Sequence, residues 1–218
     1  MKSYGQLCAL AKALDVIGDR WSLLIIRELM LGGPCRYTDL LTGLPGIATN
    51  LLADRLRQLE QAGIVQKAAA PPPVATALFS LTPRGADLRP VLRELGRWGA
   101  PLLADAGDDD VFRSRWMSLP LELYYYDTAP DLPPVTIEVR TADEPMVITT
   151  ESGRVRARPG TAQRPDAVVS GPPRVVIAAL SGRLDLDDAE RQGLQVEGDV
   201  GAVRRIRSSS GAEQSIAS

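Results

Sequence analysis

The sequence contains no histidine and only two cysteines, Cys8 and Cys35. Without an imidazole, a Ser-His-Asp triad, a histidine general base and a histidine-ligated zinc are all excluded. Two thiols are too few for a disulfide framework or an all-cysteine metal site. No uninterrupted apolar run approaches the ~18 residues that a bilayer-spanning helix needs. The opening MKSYGQLCALAKALDVIGDR is broken by Lys12 and Asp15 before a signal-peptide core could form. A cytoplasmic protein with no membrane partner and no cofactor is expected. Nothing assembles a catalytic grouping, so an enzyme is not expected.

What is present divides the chain. Its 218 residues can fold as one large domain or two smaller ones. The net charge of -2 conceals an asymmetry: twelve Lys/Arg against nine Asp/Glu through Gly107, then thirteen against eighteen from Asp108 onward. A mildly basic first half joined to an acidic second half fits a nucleic-acid module attached to something else. The boundaries this suggests are 1–107, 108–207 and a tail, 208–218, whose low apolar content predicts disorder.

The first half reads as five helices and a hairpin. CALAKALDVIG is a first apolar helix. RWSLLIIRELMLGG is a buried one, with Trp21, Leu24, Ile25, Leu29 and Leu31 on one broad side and Gly32-Gly33-Pro34 stopping it. RYTDLLTGL is a short helix for which Thr38 is the expected N-cap. After the Leu44-Pro45-Gly46 turn, Ala48 to Gln61 form a helix with two unlike sides. Leu52, Leu56 and Leu59 share a stripe at ~3.6 residues per turn, while Asn50, Asp54, Arg57 and Gln61 project oppositely. GIVQK and ALFSLTPRG are strands of a hairpin whose tip holds Pro71-Pro72-Pro73, and Thr82-Pro83 start a long last helix.

Helix, short helix, turn, helix and hairpin is the order of a winged helix-turn-helix. A helix about 10–12 Å across fits the ~12 Å major groove when one face packs on its own domain and the other meets bases. The leucines suit the first task. Asn50 and Arg57 suit the second, because amides pair with adenine edges and guanidinium groups with guanine edges.

The run from Cys8 to Val65, with its IGDRW, YTDL and LPGI elements, then FSLTPRG and LRPVLRELGRWG, resembles HxlR-type bacterial transcriptional regulators. The resemblance implies a homodimer binding an operator in double-stranded DNA, with dimer contacts from the first helix and the long helix after the wing. It implies groove contacts from Thr49, Asn50 and Arg57, and phosphate contacts from Arg36, Tyr37, Thr38 and Arg55. For Arg55, at the edge of the leucine stripe, a structural ion pair is an equal alternative. The wing offers only Lys67 before the prolines, and a basic tip is absent. Cys8 falls where many family members place a cysteine, which serves some as a thiol sensor. Burial of Cys8 on the first helix is the commoner alternative, and Cys35, beside Arg36, is expected to be the more exposed.

In the second half, Phe112, Trp116 and Tyr124 to Tyr126 gather half of the aromatic residues in one short run. VTIEVR, MVITT and GRVRARP read as short strands, and a strand, a helix, a second strand and a last helix close the domain. PDAVVSG, VVIAALSGRL and GLQVEGD resemble a sterol-carrier-protein-type lipid-binding domain, which implies an apolar tunnel for a hydrophobic small molecule. Trp116, Leu119, Leu123 and Tyr125 are the candidate liners, with core filling as the alternative for each. Arg154, Arg156 and Arg158 alternate, so all three project from one strand face toward solvent, DNA phosphate or a ligand acid.

The fold class expected is therefore α+β, a winged helix-turn-helix followed by an α/β sterol-carrier-like domain. The expected function is a one-component regulator binding a pseudo-palindromic operator as a homodimer, with affinity modulated by a hydrophobic effector. A thiol-based redox regulator and a hydrophobic-ligand carrier are the alternatives.

Overall fold

Three leucines decide how the first part of the chain packs. In the computed structural model, which describes residues 3–69, 76–105, 107, 110–141 and 143–208, Leu52, Leu56 and Leu59 are 0–2% exposed. Their spacing carries one side of a helix into a core with Ile25, Ile26, Leu29, Leu40, Leu44, Ile64 and Phe79. Burying each leucine contributes roughly 1.5–3 kcal/mol. The proline tip at 71–73, Asp108, Asp109 and the tail from Ser209 lie outside the described residues.

The chain divides into two compact units, Met1–Asp105 and Ala106–Ser218. The first runs α1 (Ala9–Ile17), α2 (Ser22–Gly32), β1 (Cys35–Arg36), α3 (Tyr37–Gly43), α4 (Thr49–Gln61), β2 (Val65–Ala69), β3 (Ala77–Leu81), α5 (Pro83–Ala86) and α6 (Arg89–Gly99), with a 3-10 segment over Ala100–Asp105. Its sheet has the order β1-β3-β2, antiparallel throughout. Gly46, at φ +84°, makes the turn into α4, a conformation that a side chain would strain.

Two details differ from the expected elements. Thr38 is not the cap of α3: Arg36 holds the N-cap position and its backbone N–H donates to the Asp39 carboxylate at 2.9 Å. The cause is β1, whose pairing of Arg36 with Leu78 holds that residue extended. The long last helix is divided between α5 and α6. Pro90 explains the break, because its ring would collide with the Ala86 carbonyl in a continuous helix, whereas in the first turn of α6 it loses no bond.

The wing is fastened to α5 through Thr82. Its hydroxyl donates to the Gly63 carbonyl at 2.6 Å and accepts from the Gly85 N–H at 3.1 Å. Gly85 is buried so closely that a Cβ would lie 2.2 Å from the Ile64 carbonyl oxygen. Gly85→Ala is therefore expected to destabilise the first unit by about 3 kcal/mol, the upper range for overpacking. Urea denaturation followed by tryptophan fluorescence tests this, since Trp21 and Trp98 both lie in that unit.

The second unit contains a 3-10 turn (Ser114–Met117), α7 (Ser118–Tyr124), β4 (Tyr125–Asp127), β5 (Thr136–Arg140), β6 (Met146–Glu151), β7 (Arg154–Pro159), β8 (Ala167–Ser170), α8 (Pro173–Leu180), α9 (Leu186–Arg191), β9 (Gln195–Gly198), α10 (Val200–Arg205) and β10 (Ile206–Ser208). The strands form one sheet of order β10-β4-β7-β6-β5-β8-β9, in which β5 and β8 run parallel and the other pairs antiparallel. Ile137, Val139, Met146, Ile148, Val155 and Val169 point to one face, where Leu121, Val176, Leu180, Ala189 and Val203 of the helices cover them. The helix α9 and the edge strands β4 and β10 add to the expected elements. A six-residue helix and three-residue strands are too short to display a periodic pattern of their own.

One buried ion pair closes the sheet edge. Arg205 Nη2 and Nε donate to the two carboxylate oxygens of Asp127 at 2.6 and 2.9 Å. The same guanidinium donates to the carbonyls of Pro133 at 2.8 Å and Ala129 at 3.0 Å. Their side chains are only 12% and 2% exposed, so the charges rely on each other rather than on water. Hydrogen bonding to Arg205 holds the Asp127 carboxyl below the usual aspartate range.

Candidate nucleic-acid interface and ligand cleft

The solvent side of α4 carries Thr49, Asn50, Asp54, Arg57 and Gln61, all exposed. Arg57 is 69% exposed and its guanidinium pairs with Asp54 one turn earlier. Asn50 Oδ1 accepts the Leu51 N–H at 3.0 Å, one of the first-turn donors that has no partner within the helix. Its amide nitrogen stays free to donate. The start of α4 is braced by α3, because the Tyr37 hydroxyl donates to the Thr49 carbonyl at 2.5 Å. Tyr37 packs half-buried against the core, so it positions the helix in addition to lying near its surface.

Arg36 and Thr38 are exposed at the start of α3. Lys67 is exposed on β2, its ammonium 5.6 Å from the centre of the Phe79 ring. Arg55 is different. Its guanidinium sits 2.7 Å from an Asp19 carboxylate oxygen and donates to Gln58 Oε1 at 2.6 Å. Of the two roles left open for it, the ion pair is the geometry observed, tying α4 to the turn before α2.

The cysteines reverse their expected exposures. Cys8 is exposed at the N-cap of α1, and Cys35 is half-buried in β1 against the core. The reason lies in α1 itself. Only Ala11 and Ile17 of that helix are buried, while Leu7, Leu10 and Leu14 are 105%, 67% and 41% exposed. On α6, Val91, Leu95 and Trp98 are likewise exposed, and no residue of that helix is buried. Exposed apolar groups on this scale mark an interaction surface.

In the second unit a cleft of about 660 Å³ is lined by Tyr126, Ala179, Ser181, Gly182, Leu184, Asp185, Leu186, Asp187, Arg191, Arg204, Arg207 and Ser208. It is not lined by Trp116, Leu119, Leu123 or Tyr125. Leu119 is buried, Trp116 and Leu123 are half-buried, and Tyr125 packs against the core. That burial pushes the Tyr125 phenol above its ordinary range. The cleft wall mixes leucines with three guanidinium groups and the carboxylates of Asp185 and Asp187, so it suits an amphiphile with a polar head better than a purely apolar chain. Tyr126, Arg191 and the neighbouring Arg204 and Arg207 come from three separate parts of the chain, and no local pattern announces them.

Residues 16–106 match the model of the HxlR-like helix-turn-helix family. Residues 134–209 match that of the SCP-2 sterol transfer family. An uncharacterized HTH-type transcriptional regulator of Synechocystis sp. is 37% identical over 99 residues, which are 45% of this chain and 73% of that protein. The HTH-type transcriptional regulator YodB of Bacillus subtilis is 35% identical over 96 residues, 44% of this chain and 84% of YodB. Among solved structures, the reduced form of YodB is 31% identical and covers 47% of this chain and 100% of that one, with a TM-score of 0.41.

Proposed function

The chain belongs to the HxlR-like helix-turn-helix family of transcriptional regulators, and from that premise we propose that it is a cytoplasmic one-component regulator whose homodimer reads a pseudo-palindromic operator with α4. One observation carries this reading: the leucine side of α4 is sealed in the core while Asn50 and Arg57 face solvent. A second copy of the chain is the occupant that the apolar residues of α1 and α6 call for. Two-fold pairing there would bring two α4 helices to half-sites one helical turn apart. Arg36, Thr38 and Lys67, all exposed, would contact phosphate and add affinity without sequence preference.

The effector is a small amphiphile held in the second unit, supported by the sterol-transfer match and by Leu184 and Leu186 beside Arg204 and Arg207. It acts by binding the DNA-competent and incompetent dimers with different affinity.

Selection of tight-binding duplexes from a random pool, followed by fluorescence anisotropy, tests the DNA reading. Arg57→Ala and Asn50→Ala are each expected to cost about 1–3 kcal/mol on the selected duplex and far less on random sequence. Equal losses on both duplexes would reject base reading by these residues. The exposure of Cys8 favours a second signal, thiol oxidation. Cys8→Ser should then abolish release of DNA by diamide, and an unchanged release rejects that signal.

A further inference from the structure

On the sheet face opposite the core cluster, Glu138 and Val147 are buried, while β7 carries a row of exposed arginines. Cross-strand partners share a face, so the register places the side chains. Tyr126 stands opposite both Arg207 of β10 and Arg154 of β7, and Arg154 opposite Glu151 of β6. Arg156 and Arg158 follow on the same side of β7, while Val155, between Arg154 and Arg156, is buried with the core. Four arginines thus face one glutamate across β10, β4, β7 and the end of β6.

Arg154, Arg156 and Arg158 are exposed, and among the described residues none has a carboxylate within ion-pair distance, Glu151 included. Arg158 makes one weak contact, donating to the Pro159 carbonyl at 3.4 Å. The Glu122 carboxylate reaches the Ala157 N–H of the same strand, at 3.4 Å. Like charges this close repel one another weakly in water, and an external anion would relieve that repulsion.

We propose that this arginine-bearing sheet face is a second polyanion-binding surface, which grips the phosphate backbone of duplex DNA without reading sequence; the proposal rests on the operator-binding reading. Alternate residues on a strand are about 6.6 Å apart, so the three guanidinium groups span about 13 Å. Duplex DNA offers one phosphate charge per ~1.7 Å of axis, so several phosphates lie within that span. The guanidinium fork matches phosphate oxygens two at a time. An anionic membrane fits less well, because interfacial binding also wants an apolar wedge and Tyr126 is the one large exposed ring in this row.

The test uses the full chain, with anisotropy titrations at several salt concentrations on a selected duplex and on a random-sequence duplex. For the triple variant Arg154→Ser/Arg156→Ser/Arg158→Ser, the slope of log affinity against log salt is expected to fall by about 2–3 on both duplexes, with the preference between them retained. The triple lysine variant should keep most of the slope, since an ammonium also neutralises phosphate. An unchanged slope in the serine variant overturns the proposal. So does loss of binding to phosphatidylserine vesicles with the DNA slope intact, which would make the face a membrane surface.

The two readings fail separately. If Arg57→Ala abolishes preference while the serine variant leaves the slope alone, operator reading stands and this surface does not. If the slope depends on the three arginines but no duplex is preferred, the reverse holds.

Discussion

Asp127→Ala is expected to cost about 3–5 kcal/mol, the range for removing one partner of a buried ion pair. The magnitude follows from what is left behind. Arg205 would keep its positive charge in a site where its side chain is 12% exposed, bonded to the Pro133 and Ala129 carbonyls and with the Asp166 and Asp199 carboxylates acting on it without a direct bond. The loss should concentrate where the pair acts, between β4 and the junction of α10 with β10. Hydrogen exchange is the suitable measurement, with amides of β4 and β10 losing protection while those of α4 keep theirs. Replacing both partners, by Asp127→Leu with Arg205→Met, should recover much of the stability, because no unpaired charge then remains. A double variant as unstable as the single one would show that shape rather than charge matters at this edge.

The same pair sets an acid limit. The Asp127 carboxyl is held below its ordinary range chiefly by its hydrogen bond to Arg205, so the unfolded chain takes up that proton more readily than the folded one. The stabilisation is complete above the unfolded value of about 3.9. It is lost as pH falls through the lower folded value. Wild-type protein should therefore weaken below about pH 4. Asp127→Ala should show a shallower decline over that window.

Leu56→Ala has the second large expected effect, about 2–5 kcal/mol in urea denaturation, the range for truncating a fully buried leucine. Leu56 is 2% exposed, midway along the stripe between Leu52 and Leu59. A small domain has about 5–15 kcal/mol in total, so this single change removes a large fraction of it. DNA binding should fall in proportion to the folded fraction, with sequence preference unaltered in what remains. Leu56→Met, nearly conserving volume, should cost less than about 1.5 kcal/mol and separates packing from any direct role. Equal losses from the alanine and methionine variants would contradict the packing assignment.

The leucine stripe of α4 was legible because its spacing holds over about two turns and nothing distant alters it. The wing was legible because prolines and glycines punctuate it. Other features depended on partners far along the chain. Arg36 displaces Thr38 from the cap of α3 because it pairs with Leu78, more than forty positions on. Trp116, Leu119, Leu123 and Tyr125 form a run whose apolar character is the same whether it fills a core or lines a cavity. The cleft instead gathers Tyr126, Ser181 to Asp187, Arg191 and Arg204 to Ser208. Cys8 is exposed for a related reason: α1 has an apolar side, but a single copy of the chain leaves that side uncovered.

If Arg57 reads a base as proposed, its bond to Asp54 sets a threshold for that contact. Such an exposed pair is worth about 0.2–1 kcal/mol. A bidentate contact to guanine is worth about 1–3 kcal/mol in discrimination. In the proposed complex, a guanine offers enough to draw the guanidinium away from its neighbour, whereas a mismatched base does not. The side chain then stays folded back on its own helix at wrong sites, and sliding along unrelated sequence meets little local friction.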